Sequence, residues 1–245
     1  MTSPEPRESP RTPAVLSEFD AEDIAWALLR DGGDSGDLDI LVEASRFDDV
    51  RGLFRRHEFD EFPTLGRGSH VFFVGTDRDS GWIKFDFVTE LAFGRHFELK
   101  TDAAADCLAR RRRRGSDYHL DPDDAFWALL FHCILDKRRI VPDRRRRLQQ
   151  LSLGATANGP LAAVFSSVAP TQWPPERAIA AAAAGDTEAL LGLGRSLTQR
   201  WRRRDPVGTL GRVAARRTLG FLHRRTPLGR ARPRPVDNAP GPQGS

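Results

Sequence analysis

The chain has 245 residues, is 39% hydrophobic and 29% charged, and carries a formal net charge of +4. That length and apolar content suit a globular protein of one large or two small domains. No apolar run approaches the roughly 18 residues of a membrane span, and MTSPEPRESPRTP lacks the apolar stretch of a secretory signal, so a cytoplasmic protein without a transmembrane segment is expected.

Residues 1–16, rich in Pro, Ser, Thr and Glu, are expected to be a disordered tail. Ser17 and Asp20 open a short helix that feeds a strand over residues 24–29, with Trp26 in the core. Gly32, Gly33 and Ser35 follow in a glycine-rich break that admits two readings. It is either an anion-binding nest of backbone N–H groups or a tight hairpin connection. In the next strand, over residues 37–42, Asp37 and Asp39 alternate with Leu38 and Ile40. The two carboxylates therefore share one face, with Cα atoms about 6 to 7 Å apart. Acids so placed repel each other unless a cation or water lies between them. Hard oxygen ligands of this kind suit Mg²⁺ with substrate phosphates; the other reading is a solvated pair at a strand's edge.

Residues 45–57 read as an amphipathic helix that buries Phe47, Val50, Leu53 and Phe54. His57 is its terminal charge partner. A short edge strand is expected over residues 59–62, then a hairpin of 66–75 with 81–88. Asp86 stands between Phe85 and Phe87. A lone carboxylate in so apolar a strand is costly unless it has a purpose, and joining Asp37 and Asp39 supplies one. Lys84 shares the face of Asp86, either to contact a phosphate or to pair with the acid. His70 begins the partner strand, at the site or on its rim.

Residues 90–101 are ambiguous, with 97–100 a possible strand. Residues 103–114 read as a helix ending in five arginines, followed by a linker over 113–118. Asp121 then caps a helix with Pro122 at its first position and Asp123 and Asp124 in its first turn. This helix continues through AFWALLFHCILDK, with His132 either a satisfied core histidine or a functional one. Lys137 either complements the helix's negative end or reaches toward substrate. Cys107 and Cys133 read as buried thiols. Helices over residues 143–151, 159–168, 175–184, 186–203 and 207–222 suit an antiparallel bundle, and residues from 226 onward a disordered tail. Charge divides along the chain, with −9 over residues 1–100 and +13 over 101–245, which suggests two lobes with separate tasks. Arginine supplies 35 of the 38 basic residues, a compositional bias that by itself indicates no ligand.

A strand and glycine-containing loop, then GDLDILV, then a later strand with a third aspartate resembles the nucleotidyltransferase superfamily, whose fold is that of DNA polymerase β. More narrowly, WALLR, GDLDILV, GSHVFF and FDFVTEL look like an uncharacterised bacterial nucleotidyltransferase-like group associated with polysaccharide biosynthesis. The resemblance covers about residues 17–140. It implies an α+β fold: a mixed sheet with flanking helices over residues 17–112, then a helical lobe over 119–224, with tails at 1–16 and 225–245. It further implies that Asp37, Asp39 and Asp86 bind Mg²⁺ and catalyse transfer of a nucleotidyl group from a nucleoside triphosphate to a small-molecule hydroxyl. Gly32, Gly33, Ser35, Lys84 and Lys137 would then contact the triphosphate. The superfamily's Gly-Ser after the first strand is replaced here by Gly32 and Gly33, separated from Asp37 only by Asp34, Ser35 and Gly36. That shortening motivates the alternative: a catalytically inactive relative that binds nucleic acid, polyphosphate or a protein partner through its basic helical lobe.

Overall fold

The computed structural model describes residues 11–30, 37–62, 69–77 and 81–225. The amino-terminal half contains α1 (Arg11–Ala21), β1 (Trp26–Leu28), β2 (Asp37–Val42), a 3-10 turn (Ala44–Arg46), α2 (Phe47–Arg56), β3 (Asp60–Phe62), β4 (His70–Asp77) and β5 (Gly81–Val88). A small ribbon of β6 (Ala92–Phe93) and β7 (Leu99–Lys100) follows, then α3 (Ala104–Ala109), β8 (Arg112–Arg114) and β9 (Asp117–His119). The helical part comprises α4 (Pro122–Phe131) continued by a π-helical segment (His132–Lys137), then α5 (Pro142–Ser152), α6 (Pro160–Val168), α7 (Pro175–Ala184), α8 (Thr187–Arg204) and α9 (Pro206–Arg225). The fold is α+β.

Seven strands form one mixed sheet in the order β3-β4-β5-β2-β1-β9-β8. The β2–β5 and β1–β9 pairs are parallel and the others antiparallel. Alternation along the strands divides the core in two. Leu28, Ile40, Phe85 and Phe87 pack with α1 and α2 on one face, through Phe19, Val50, Leu53 and Phe54. Ala27, Leu41 and Val88, on the other face, join the core of the helical part around Trp127, Phe131 and Phe165. The sheet is therefore a floor covered on both sides, and its central strands carry whatever polar groups interrupt the second face.

Several sequence expectations hold closely. The amphipathic helix buries the four residues named for it, β3 is an edge strand, β4 and β5 form a hairpin, and the helical bundle follows the expected breaks. Asp121 caps α4 by accepting from the Asp123 N–H at 3.2 Å. Cys107 and Cys133 are buried and free, and His57 pairs with Glu18 at 2.6 Å.

Two segments differ. Residues 11–21 are one helix, anchored by buried Val15, Leu16 and Phe19, so order begins ahead of Ser17; three apolar residues at helical spacing outweigh the polar composition around them. Residues 112–119 are a β-hairpin on the sheet rather than a linker. The arginines here and just before it are held by the hairpin's second strand and the start of α4. Arg112 pairs with Asp121 at 2.9 Å, Arg110 reaches Asp121, Asp123 and Asp124 at 3.4 Å each, and Arg111 and Arg113 lie over the Tyr118 ring.

Candidate active site

Parallel pairing of β2 with β5 sets the site. The register places Asp37 opposite Lys84 and Asp39 opposite Asp86. Paired residues on neighbouring strands point to the same side of a sheet. Because Ile40, Phe85 and Phe87 are committed to the α1–α2 face, Asp39 and Asp86 stand together on the opposite one. The side chain of Asp37 lies outside the described residues, as do Gly32, Gly33 and Ser35. β1 and β2 are antiparallel neighbours.

Each described carboxylate is met by a base. Arg30 Nη2 lies 2.6 Å from Asp39 Oδ2, and His70 Nδ1 lies 2.8 Å from Asp86 Oδ1. Of the expected phosphate contacts, Lys84 sits on this face with its ammonium 4.7 Å from the Phe72 ring centroid. Lys137 lines a cavity of 220 Å³ together with Asp86, His70, His132 and Asp136. No group of three or more His, Cys, Asp or Glu side chains arranged to hold a metal ion occurs among the described residues.

The sequence reading missed a network behind these groups. Arg30 Nη1 is 3.2 Å from His132 Nε2, and His132 Nδ1 is 2.9 Å from Asp136 Oδ2. A guanidinium only donates, so Nε2 accepts and the imidazole proton sits on Nδ1, donated to Asp136. Asp136 Oδ1 also accepts the Gly94 N–H at 2.6 Å. Burial and then the Arg30 charge depress His132 to about 2, so the ring is neutral and braces Arg30 against Asp39. The only local signal was the spacing of His132 and Asp136, four residues apart on one helix.

Burial also raises Asp136 to about 7 from its usual 3.8. Between those values the folded chain keeps a proton that the unfolded chain has released, so this group's contribution to stability falls as pH rises through the window. In urea denaturation, Asp136→Asn is expected to gain about 1 to 3 kcal/mol relative to wild type as pH is raised across it. A pH-independent difference between the two proteins would contradict the assignment.

Beside Asp39 a second cavity, of 490 Å³, is lined by Arg30, Arg114, Arg144 and Arg147. Its size is in the range of small-molecule sites. Arg30 also lines the 220 Å³ cavity, so it stands where the two meet, with Asp39 on one side and Asp86 on the other. Arg144 and Arg147, one turn apart on α5, carried no sequence signal beyond basic charge.

A mixed sheet with flanking helices and a helical carboxy-terminal part is the architecture expected of a nucleotidyltransferase-type fold. No family model matches the chain, and no curated protein matches it. Among solved structures it is similar to the solution structure of the antibiotic-resistance factor ANT(2'')-Ia, with a TM-score of 0.35 and 10% identity over 78% of this chain and 92% of that one.

Proposed function

We propose that this protein is a Mg²⁺-dependent nucleotidyltransferase that moves a nucleotidyl group from a nucleoside triphosphate to a small-molecule hydroxyl, in the class suggested by the resemblance to enzymes of polysaccharide precursors. The observation that carries the reading is the pairing of Asp39 with Asp86 on one face of the sheet, between an arginine-lined cavity and a smaller one. Two adjacent carboxylates fit Mg²⁺, which takes one or two such ligands and completes its shell with water and substrate phosphates. Asp39 and Asp86, with Asp37 at the head of the same strand, would hold it. Bound there, the ion would supply Lewis-acid polarisation of the α-phosphate.

The chain's own groups do the rest. Arg30, Arg114, Arg144 and Arg147 offer the triphosphate a wall of donors that cannot lose their charge, with Lys84, Lys137 and the Gly32–Gly33–Ser35 segment as further contacts. The acceptor occupies the smaller cavity. Its hydroxyl gives its proton to Asp86, which His70 orients, as its oxygen bonds to the α-phosphorus and the bond to pyrophosphate breaks. The fixed tautomer of His132 keeps Arg30 at the junction, so that charge on the triphosphate and on Asp39 is balanced by one guanidinium.

Calorimetric titration of a nucleoside triphosphate with Mg²⁺ tests the anion wall. Replacing both Arg144 and Arg147 by Ala is expected to weaken binding by about tenfold per arginine, with unfolding unchanged. Undiminished affinity would remove these arginines from the site. The second reading, a catalytically silent relative, is favoured by one observation: Arg30 and His70 already engage Asp39 and Asp86. Pyrophosphate release from no triphosphate, alongside salt-sensitive binding of nucleic acid or polyphosphate, would decide for it.

A further inference from the structure

A cleft of 940 Å³ lies between α8, α9 and the turn before β7. Arg95, Arg138, Arg195, Arg203 and Arg217 line it, and none of the five has an ion-pair partner among the described residues. Arg202, a sixth, is held by the buried Glu98 at 2.6 Å. This cluster is unlike the Arg110–Arg114 run, whose members nearly all have partners, so composition alone does not account for it. Uncompensated charge gathered in a concave, apolar-walled space focuses the field there. His96 registers it: burial first, and then the charges of Arg217, Arg95 and Arg202, hold its imidazole below the ordinary range against the pull of Glu98.

The cleft has an apolar floor of Ile134, Leu191 and Val213, and its rim runs onto an exposed apolar edge. Val207 is 82% and Leu210 69% exposed, both in the first turns of α9. On a helical wheel they share a side with exposed Ala214 and Arg217. A surface facing water gains nothing from two such side chains beside five arginines that have no ion-pair partner among the described residues.

We propose that this face docks on an anionic lipid bilayer, with lipid phosphates in the arginine cleft and Val207 and Leu210 entering the headgroup layer. Charge selects this occupant over others. The segment after α9 carries Arg230, Arg232 and Arg234 against Asp237 alone, so it repels the cleft, and a second copy of the same face would do likewise. A nucleic-acid strand would satisfy the arginines but offer nothing to Val207 and Leu210, and no Phe, Tyr or Trp lines the cleft to stack a base. Basic side chains beside apolar ones on a helix are the composition of an interfacial helix. Among the described residues no helix is long and apolar enough to cross a membrane, so the contact is peripheral.

The test is co-sedimentation of the full chain with vesicles of phosphatidylglycerol and phosphatidylcholine in equal parts. Binding is expected at low salt, with loss at high salt and with phosphatidylcholine alone. Arg203→Ala and Arg217→Ala are each expected to raise the lipid concentration for half-binding about fivefold. Leu210→Glu, an exposed change that leaves the core intact, should abolish binding while nucleotide affinity stays at the wild-type level. Equal sedimentation with phosphatidylcholine alone, indifference to Leu210→Glu, or capture of a single-stranded RNA without sedimentation would each overturn the proposal.

Discussion

Asp39→Asn is expected to lower pyrophosphate release by on the order of a thousandfold, the scale at which removing a charge-stabilising group acts on a transition state. The change is isosteric and deletes only charge. In the folded protein Asp39 faces Arg30 at 2.6 Å, with the arginine side chain 37% exposed, so after substitution the guanidinium keeps water and His132 Nε2 as partners. An ion pair in that setting contributes about 1 kcal/mol or less, and the denaturation midpoint should barely move. Activity and stability are thus expected to separate cleanly. Assaying pyrophosphate release and urea unfolding on the same preparation checks both. Full activity would remove Asp39 from the chemistry, and a loss that follows unfolding would assign it a structural role.

Phe54→Ala is expected to cost about 3 to 5 kcal/mol, the usual range for truncating a fully buried phenylalanine. Phe54 is wholly buried, with ring centroids of Phe73, Phe85, Phe87 and Phe59 at 4.7, 4.9, 5.0 and 5.1 Å. Those partners come from β4, β5 and the loop after α2, so the cavity would open where the helix is pinned to the sheet. Against a total stability of about 5 to 15 kcal/mol, the loss is large. Because Phe85 and Phe87 flank Asp86, the pairing of β5 with β2 loosens with it. Urea denaturation measures the effect; a cost below about 1 kcal/mol would mean that the neighbouring rings collapse into the space.

What the sequence disclosed follows from which interactions are local. Alternation along residues 81–88 showed that Asp86 interrupts an apolar strand, and the three- and four-residue spacing of Phe47, Val50, Leu53 and Phe54 marked their helix. The pairing of Asp39 with Asp86 was legible as an expectation because both strands showed their faces. The Arg112–Arg114 strand was not, since three like charges carry no alternation and their partners, Asp121 and Tyr118, are identified only by the turn of the hairpin and by α4. The contact of Arg30 with His132 joins residues 102 positions apart, and no window along the chain contains both. Arg144 and Arg147 were hidden among many arginines; only the cavity they line distinguishes them.

The parallel union of β2 and β5 also bears on the order in which the molecule assembles. β4 and β5 are neighbours in sequence and are expected to pair early, whereas β2 must find β5 across an intervening helix and hairpin, and the brace from the segment after α4 arrives from still farther along the chain. The two acids are thus expected to become neighbours late in folding. An ensemble with full helical content but an unsealed sheet would be chemically idle, so turnover should recover more slowly than helical circular dichroism when the chain is diluted out of denaturant.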